Sequence, residues 1–316
     1  MSFTHLPVCI VGPGALGLFL AAGLSSTESV YLLVKEDQKA SLAQAPIKIC
    51  GQERFEIPAG QIKLLSYSEL GSLPSAISFW LCVKAYDLDE TLKQLLPVLS
   101  MSTPLVFFSN GLGIVLQAGR IIGRRAPMIR ALCNFGLRKT DQTEVIQAGR
   151  ISVAIASFKE HLKQAEYIAE VFKRMGADVS FEKDIATAEW HKALINLVVN
   201  PLCSIVNSNN ACLIDNKGLN DLARKILAEV RLVAKADGFD LSVIDDESIF
   251  NRIRQHGANF NSTLMDLRAG KKTEMEYLLG RFLRLSKQYT LAAPCCETIY
   301  SLFNFIEGEK TSPLDI

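Results

Sequence analysis

The most constraining stretch of this chain is Val8-Cys9-Ile10-Val11-Gly12-Pro13-Gly14-Ala15-Leu16-Gly17. Four consecutive apolar residues suit a strand covered on both faces, as in a parallel sheet. The residues after it read as a glycine turn opening a helix over Ala15 to Leu24. In a Gly-x-Gly-x-x-Gly pattern placed there, the first glycine permits a tight turn and the second lets backbone approach a pyrophosphate. The third lets the helix pack on the strand. The helix N-terminus then turns its partial positive charge toward the phosphates, so Gly12, Pro13, Gly14, Ala15, Leu16 and Gly17 are expected to cradle a dinucleotide. Leu6 to Thr27 carries no charge, yet glycines and Pro13 interrupt it and no Lys or Arg precedes it. A buried strand, turn and helix is therefore expected there, rather than a signal peptide or a membrane span.

Further apolar runs follow at Val30–Val34, Ile77–Val83, Pro104–Phe108 and Met128–Cys133, with amphipathic segments such as Thr91–Leu99 between them. Arg150–Ala156 and Asp178–Phe181 read as late strands around a helix over Leu162–Met175. This alternation predicts an α/β fold with a Rossmann-type doubly wound parallel sheet. After Phe181 the periodicity turns helical, over Ala186–Asn200, Leu219–Ala236, Asp246–His256 and Glu274–Tyr289. The expected boundary lies near Glu182-Lys183-Asp184. It separates an NADP-binding domain (1–183) from an all-helical substrate and catalytic domain (184–316), which suits a length of 316 residues.

The identity of the dinucleotide turns on the end of the second strand, where an Asp or Glu holds the ribose 2′-hydroxyl of NAD. Here Tyr31-Leu32-Leu33-Val34 runs into Lys35, Glu36 and Asp37. Lys35 favours a 2′-phosphate and hence NADPH. Glu36 pointing inward would favour NADH, and Lys35 as a plain surface charge would favour neither.

The helical half holds a polar stripe. Lys192, Asn196 and Asn200 are spaced i, i+4, i+8, with Leu194, Ile195, Leu197, Val198 and Val199 around them. Polar groups in so apolar a helix need partners, either a ligand or a neighbouring segment that they cap. Pro201 should kink or end that helix. A second cluster is Asn259-Phe260-Asn261-Ser262-Thr263-Leu264-Met265-Asp266-Leu267-Arg268-Ala269-Gly270-Lys271-Lys272-Thr273-Glu274. Gly270 allows a turn, Thr273 can cap a helix starting at Glu274, and Glu274 alone reads as an exposed first-turn acid.

With 34 Lys+Arg against 33 Asp+Glu, the charge balance leaves no footprint for nucleic acid. Eight cysteines without a Cys-x-x-Cys pair read as reduced thiols in a cytoplasmic protein. His5, His161, His191 and His256 have no zinc spacing, so no metal site is expected. No membrane partner is expected, and an apolar helical domain suits a monomer or a homodimer alike.

The glycine loop, Lys192-x-x-x-Asn196-x-x-x-Asn200-Pro201, and Ser262 with Asp266-x-Arg268-Ala269-Gly270-x-x-Thr273-Glu274 together resemble the 2-dehydropantoate 2-reductase (ketopantoate reductase) family, from about Val8 to Leu283. Lys84 in Cys82-Val83-Lys84-Ala85-Tyr86-Asp87 and Asn110-Gly111 match it too. Ser109 stands where the family usually has glutamine, and Lys35 where it typically has arginine. The resemblance implies NADPH-dependent reduction of 2-dehydropantoate to (R)-pantoate, a step toward pantothenate and coenzyme A. It also implies roles for individual residues. Lys192 would supply a proton and positive charge to the developing alkoxide, and Glu274 would bond the reacting oxygen or orient the lysine. Asn196, Asn200, Asn259 and Ser262 would hold the oxo acid, while Lys84 and Asn110 would position substrate and nicotinamide, with Glu274 also near the cofactor. His191 points about 100° away from Lys192 on the helix and is left out. Two other readings stay open, a related reductase of another 2-oxo acid and a non-catalytic dinucleotide-binding sensor.

Overall fold

The computed structural model describes residues 6–52 and 54–311, so His5 lies outside the described residues. The chain divides into two compact units. One runs to Ser109 and resumes over Gly113–Ala188; the other holds Asn110–Leu112 and everything from Glu189 onward.

Among the described residues the first unit has twelve strands: β1 (Val8–Val11), β2 (Val30–Leu33), β3 (Ile47–Gly51), β4 (Phe55–Ile57), β5 (Lys63–Leu65), β6 (Ser78–Leu81), β7 (Leu105–Phe107), β8 (Met128–Cys133), β9 (Gly136–Lys139), β10 (Glu144–Ala148), β11 (Ser152–Ser157) and β12 (Asp178–Phe181). Eight of them form one sheet in the order β12-β11-β8-β7-β6-β1-β2-β5. From β5 to β8 every pairing is parallel. All four residues of β1 are buried, as an apolar run covered on both faces must be.

Two features depart from a plain doubly wound parallel sheet. β11 pairs antiparallel with β8, and β12 follows β11 in parallel. The chain leaves β8 through the β9–β10 hairpin rather than a crossover helix, and only a crossover brings a strand back parallel. That hairpin joins β3 and β4 in a second sheet, ordered β4-β3-β10-β9, which the sequence reading did not contain. Its strands are short and interrupted by Glu56, Arg138 and Lys139, so no apolar run announces them.

The expected helix over Thr91–Leu99 lies instead at Leu88–Leu95, followed by a tight turn at Leu96–Val98. Pro97 lacks an N–H and its ring clashes with an α-helical preceding turn. Leu88, Leu92 and Leu95 are buried on one stripe. Behind the sheet, Trp80 stacks on Phe172 with ring centres 4.9 Å apart and on Phe108 at 5.6 Å.

Among the described residues the second unit is helical: Ile185–Ile205 (entering from the first unit), Cys212–Asp215, Lys217–Ala236, Asp246–Gln255, Ser262–Arg268, a π-helical turn Glu276–Gly280 running into Arg281–Gln288, and Pro294–Thr311. Leu194, Leu197, Val198, Leu227, Val230, Phe250, Phe282 and Phe303 build its core. Pro201 does not end its helix, which continues to Ile205. Leu202 and Cys203 are buried in the core beside it, and that packing outweighs the one donor that proline removes. The final helix was not evident in sequence. The amides of Cys295 and Cys296 donate to the two carboxylate oxygens of Glu229 at 2.9 and 3.0 Å, so its start is capped from another helix.

Candidate active site

The strand order reverses at β1, which lies between β2 and β6. In open α/β sheets the carboxyl ends of strands at such a switch form the ligand crevice. The glycine loop leaves the carboxyl end of β1. Gly12 has φ +99° and its amide donates to Leu33 O at 3.0 Å. Gly17 is forced, since a Cβ there would sit 1.9 Å from the Gly12 oxygen. Gly14 is different. Its φ of −72° suits any residue, it is exposed, and a Cβ on it would meet only Cys82 O, at 4.0 Å. Neither backbone nor packing demands glycine there, and the position is open to close approach of a ligand to the main chain. Gly14 caps the Ala15–Leu24 helix without a side chain, and the first turn holds no acid. Its N–H groups lack intrahelical acceptors and favour an anion.

Lys35 is exposed just past β2 and caps the Glu36–Ala43 helix, its amide donating to Gln38 Oε1 at 3.3 Å. Glu36 and Asp37 are exposed beside it. Lys84 is half-buried past β6, where its carbonyl starts the turn Ala85–Asp87.

The ends of β6 and β7 are tied together by residues that the sequence reading did not assign. Ser109 Oγ donates to Val83 O at 2.7 Å. Arg130 of β8, only 1% exposed, donates Nη1 to Phe107 O at 2.7 Å and Nη2 to Ser109 O at 2.6 Å. A lone arginine inside the apolar run Met128–Cys133 was the available signal, because buried arginine requires acceptors.

In the second unit, Lys192 and Asn196 are half-buried and Asn200 is 5% exposed, all on the Ile185–Ile205 helix. Buried Ser204 extends the stripe by one more turn, and its Oγ lies 3.4 Å from Asn261 Oδ1. Asn261 caps the Ser262–Arg268 helix by accepting from Leu264 N at 2.9 Å. This brings the stripe's end next to half-buried Asn259 and exposed Ser262, with Asn259 O accepting from Asn210 N at 3.0 Å. Arg268 grips the segment past the stripe helix, donating Nε to Asn207 Oδ1 at 2.9 Å.

Glu274 corrects an expectation. It is not an exposed first-turn acid but 5% exposed, with Oε2 accepting from Asn110 Nδ2 at 3.1 Å. The Thr273 hydroxyl accepts from Met275 N at 3.3 Å, the contact expected of a cap, although the helical turn starts one residue later than expected, at Met275. Leu112 N donates to Tyr277 O at 3.0 Å, so Asn110–Leu112 is bound into the helical unit at two points. Lys192, Asn196, Asn200, Asn259, Ser262, Glu274 and Asn110 therefore share one unit, while the glycine loop, Lys35 and Lys84 belong to the other.

No described helix is long and apolar enough to cross a membrane. A switch-point glycine loop on a mixed α/β sheet, followed by a helical unit with a buried carboxylate and a polar stripe, defines a Rossmann-type two-part protein. The chain matches the profile described as "Ketopantoate reductase PanE/ApbA" over residues 8–160 and that of its C-terminal part over 184–307. It belongs to the ketopantoate reductase family. A 2-dehydropantoate 2-reductase of Vibrio cholerae serotype O1 is 26% identical over 307 residues, 95% of this chain and 97% of that one. The fold is that of a PanE/ApbA family ketopantoate reductase from Ralstonia eutropha (TM-score 0.85, 21% identity, 97% of this chain and 100% of that one). It is equally that of D-mandelate dehydrogenase in its ternary complex with NADH and anilino(oxo)acetate (TM-score 0.86, 20% identity, 97% and 100% covered).

Proposed function

We propose that the protein reduces the ketone of 2-dehydropantoate to (R)-pantoate with NADPH, in the route to pantothenate and coenzyme A. The observation that carries this reading is the buried Glu274 carboxylate holding Asn110, in the same unit as the Lys192 stripe. The open position at Gly14 and the uncapped helix start behind it fit a dinucleotide pyrophosphate. Lys35 faces solvent at the end of β2, where a 2′-phosphate would be bound.

The nicotinamide supplies the hydride. The chain's own residues manage charge and position. The Lys192 ammonium offsets negative charge developing on the ketone oxygen and gives up the proton that makes it a hydroxyl. Asn196 and Asn200, one and two turns along the same helix, offer amide donors and acceptors to the oxo acid, with Asn259 and Ser262 beside the stripe's far end. Glu274 fixes Asn110 and orients the polar groups at the reacting end.

One observation favours a related reductase of another 2-oxo acid. Ser109, in the family's glutamine position, spends its hydroxyl on Val83 O and offers no long amide to a substrate. A steady-state assay with 2-dehydropantoate and a panel of other 2-oxo acids, each with NADPH and NADH, tests both readings. Highest kcat/KM for 2-dehydropantoate with NADPH is expected. Turnover confined to another oxo acid would replace the substrate, and no turnover with any would overturn the reductase reading.

A further inference from the structure

We propose that Lys139 is a phosphate-binding residue of the glycine loop, contributing a cation to the pyrophosphate of the bound dinucleotide. The proposal rests on the dinucleotide reading above and adds a residue from outside the glycine motif. It comes from the second sheet, whose place in the molecule has no other assignment.

Along β9 and the residue before it, alternate side chains share a face. Phe135, Leu137 and Lys139 form that set. The Phe135 ring lies 5.4 Å from the ring of Phe19 on the Ala15–Leu24 helix, and Leu137 packs against the core of the first unit. The next residue on this face is Lys139, whose Nζ donates to the carbonyl of Pro13 at 2.9 Å. The strand thus runs beside the helix that follows the glycine loop and delivers an ammonium to the loop itself. Arg138, on the opposite face, is exposed.

The strand that carries Lys139 is fixed in register. β9 pairs with β10 in the register Lys139↔Val145 and Arg138↔Ile146, and β10 pairs in turn with β3. Thr140 Oγ1 donates to Glu144 Oε1 at 2.8 Å across the hairpin turn. Backbone approach is close enough that a Cβ on Gly51 would fall 2.1 Å from Gln147 O. Slippage by one residue would move Lys139 to the wrong face, and this pairing opposes it.

Pro13 precedes Gly14, the position that leaves room for a ligand. An ammonium 2.9 Å from the Pro13 oxygen borders that room. Lysine carries a compact positive charge on a flexible stem, and bonding a neutral carbonyl leaves that charge in place for a phosphate oxygen. Because the pyrophosphate is common to both cofactors, Lys139 strengthens NADPH and NADH alike, whereas Lys35 would act only on the 2′-phosphate.

The test is calorimetric titration of the intact protein with NADPH and with NADH, at low and moderate salt, for wild type and the variants Lys139→Ala, Lys139→Gln and Lys139→Arg. Lys139 is exposed, and far-ultraviolet circular dichroism checks that the variants fold. Alanine and glutamine should raise Kd for both cofactors by a similar factor, roughly three- to tenfold, and flatten the salt dependence. Arginine should restore most of the affinity. The proposal is overturned if Lys139→Ala binds both as wild type does, or loses NADPH alone. It is also overturned if affinity falls with the salt dependence unchanged and no rescue by arginine, which would leave Lys139 only a tether of Pro13. Wild type binding neither cofactor would overturn the dinucleotide reading as well, an outcome distinct from failure of Lys139 alone.

Discussion

The side-chain amide of Asn110 donates to Oε2 of Glu274 at 3.1 Å, joining residues 164 positions apart. The carboxylate is buried, so the bond forms where unpaired polar groups are costly. Glu274→Gln removes the charge and keeps the shape. Loss of activity is expected in kcat more than in KM, by about 10–10²-fold, because a charge that orients the reacting groups acts mainly in the transition state. Asn110→Ala should act in the same direction, and the double variant should lose less than the product of the two. Fully multiplicative losses in that cycle would show that the pair does not act as a unit.

Glu229 holds the start of the last helix through the amides of Cys295 and Cys296. Glu229→Ala leaves both donors without their acceptor and should cost about 1–2 kcal/mol in urea unfolding, in the range of N-cap losses. Glu229→Gln, which keeps one acceptor oxygen, should cost less. Equal stability of all three proteins would contradict the cap.

His161 is buried, and burial lowers its pKa below the usual 6.5, while its Nδ1 accepts from the amide of Met128 at 3.2 Å. Below pH 6.5 the unfolded chain takes up a proton that the folded state resists. Its contribution to stability is therefore complete above that pH and is lost as pH falls through it toward the folded pKa. Unfolding curves at pH 7.5 and 5.5 should show a smaller pH-dependent loss in His161→Gln than in wild type (pH values of about one unit to either side of the free imidazole). An identical loss would remove His161 from the account.

Lys35 sits exposed at the end of β2 and caps the following helix only through its backbone. Lys35→Ala should raise KM for NADPH roughly tenfold through the lost charge-assisted bond and leave KM for NADH nearly unchanged. Equal efficiency of wild type with both cofactors would point to Glu36 as the ribose ligand instead.

The glycine loop was legible because everything that fixes it is local: an apolar strand, three glycines and a helix start within Val8–Leu24. The Lys192 stripe was legible because helix periodicity places its members on one face without reference to the rest of the chain. Taken alone, Glu274 reads as an exposed first-turn acid, because nothing local reveals its bond to Asn110, far away in sequence. The second sheet was missed because β10 finds its parallel partner in β3, across most of the first unit, and neither strand carries a long apolar run. Local pattern reveals what a segment prefers; the partner that buries or pairs it lies elsewhere.

The proposed reduction depends on Lys192 acting as the general acid. Turnover and NADPH affinity measured on the same preparations of wild type, Lys192→Ala and Lys192→Arg test it most directly. Alanine should lower kcat with 2-dehydropantoate by at least about 10²-fold, the lower end of general-acid contributions, while NADPH still binds through the glycine loop. Arginine should rescue little, because it keeps the charge but does not readily release a proton. Near-normal turnover in Lys192→Ala would contradict the account and leave the stripe a structural feature of its helix.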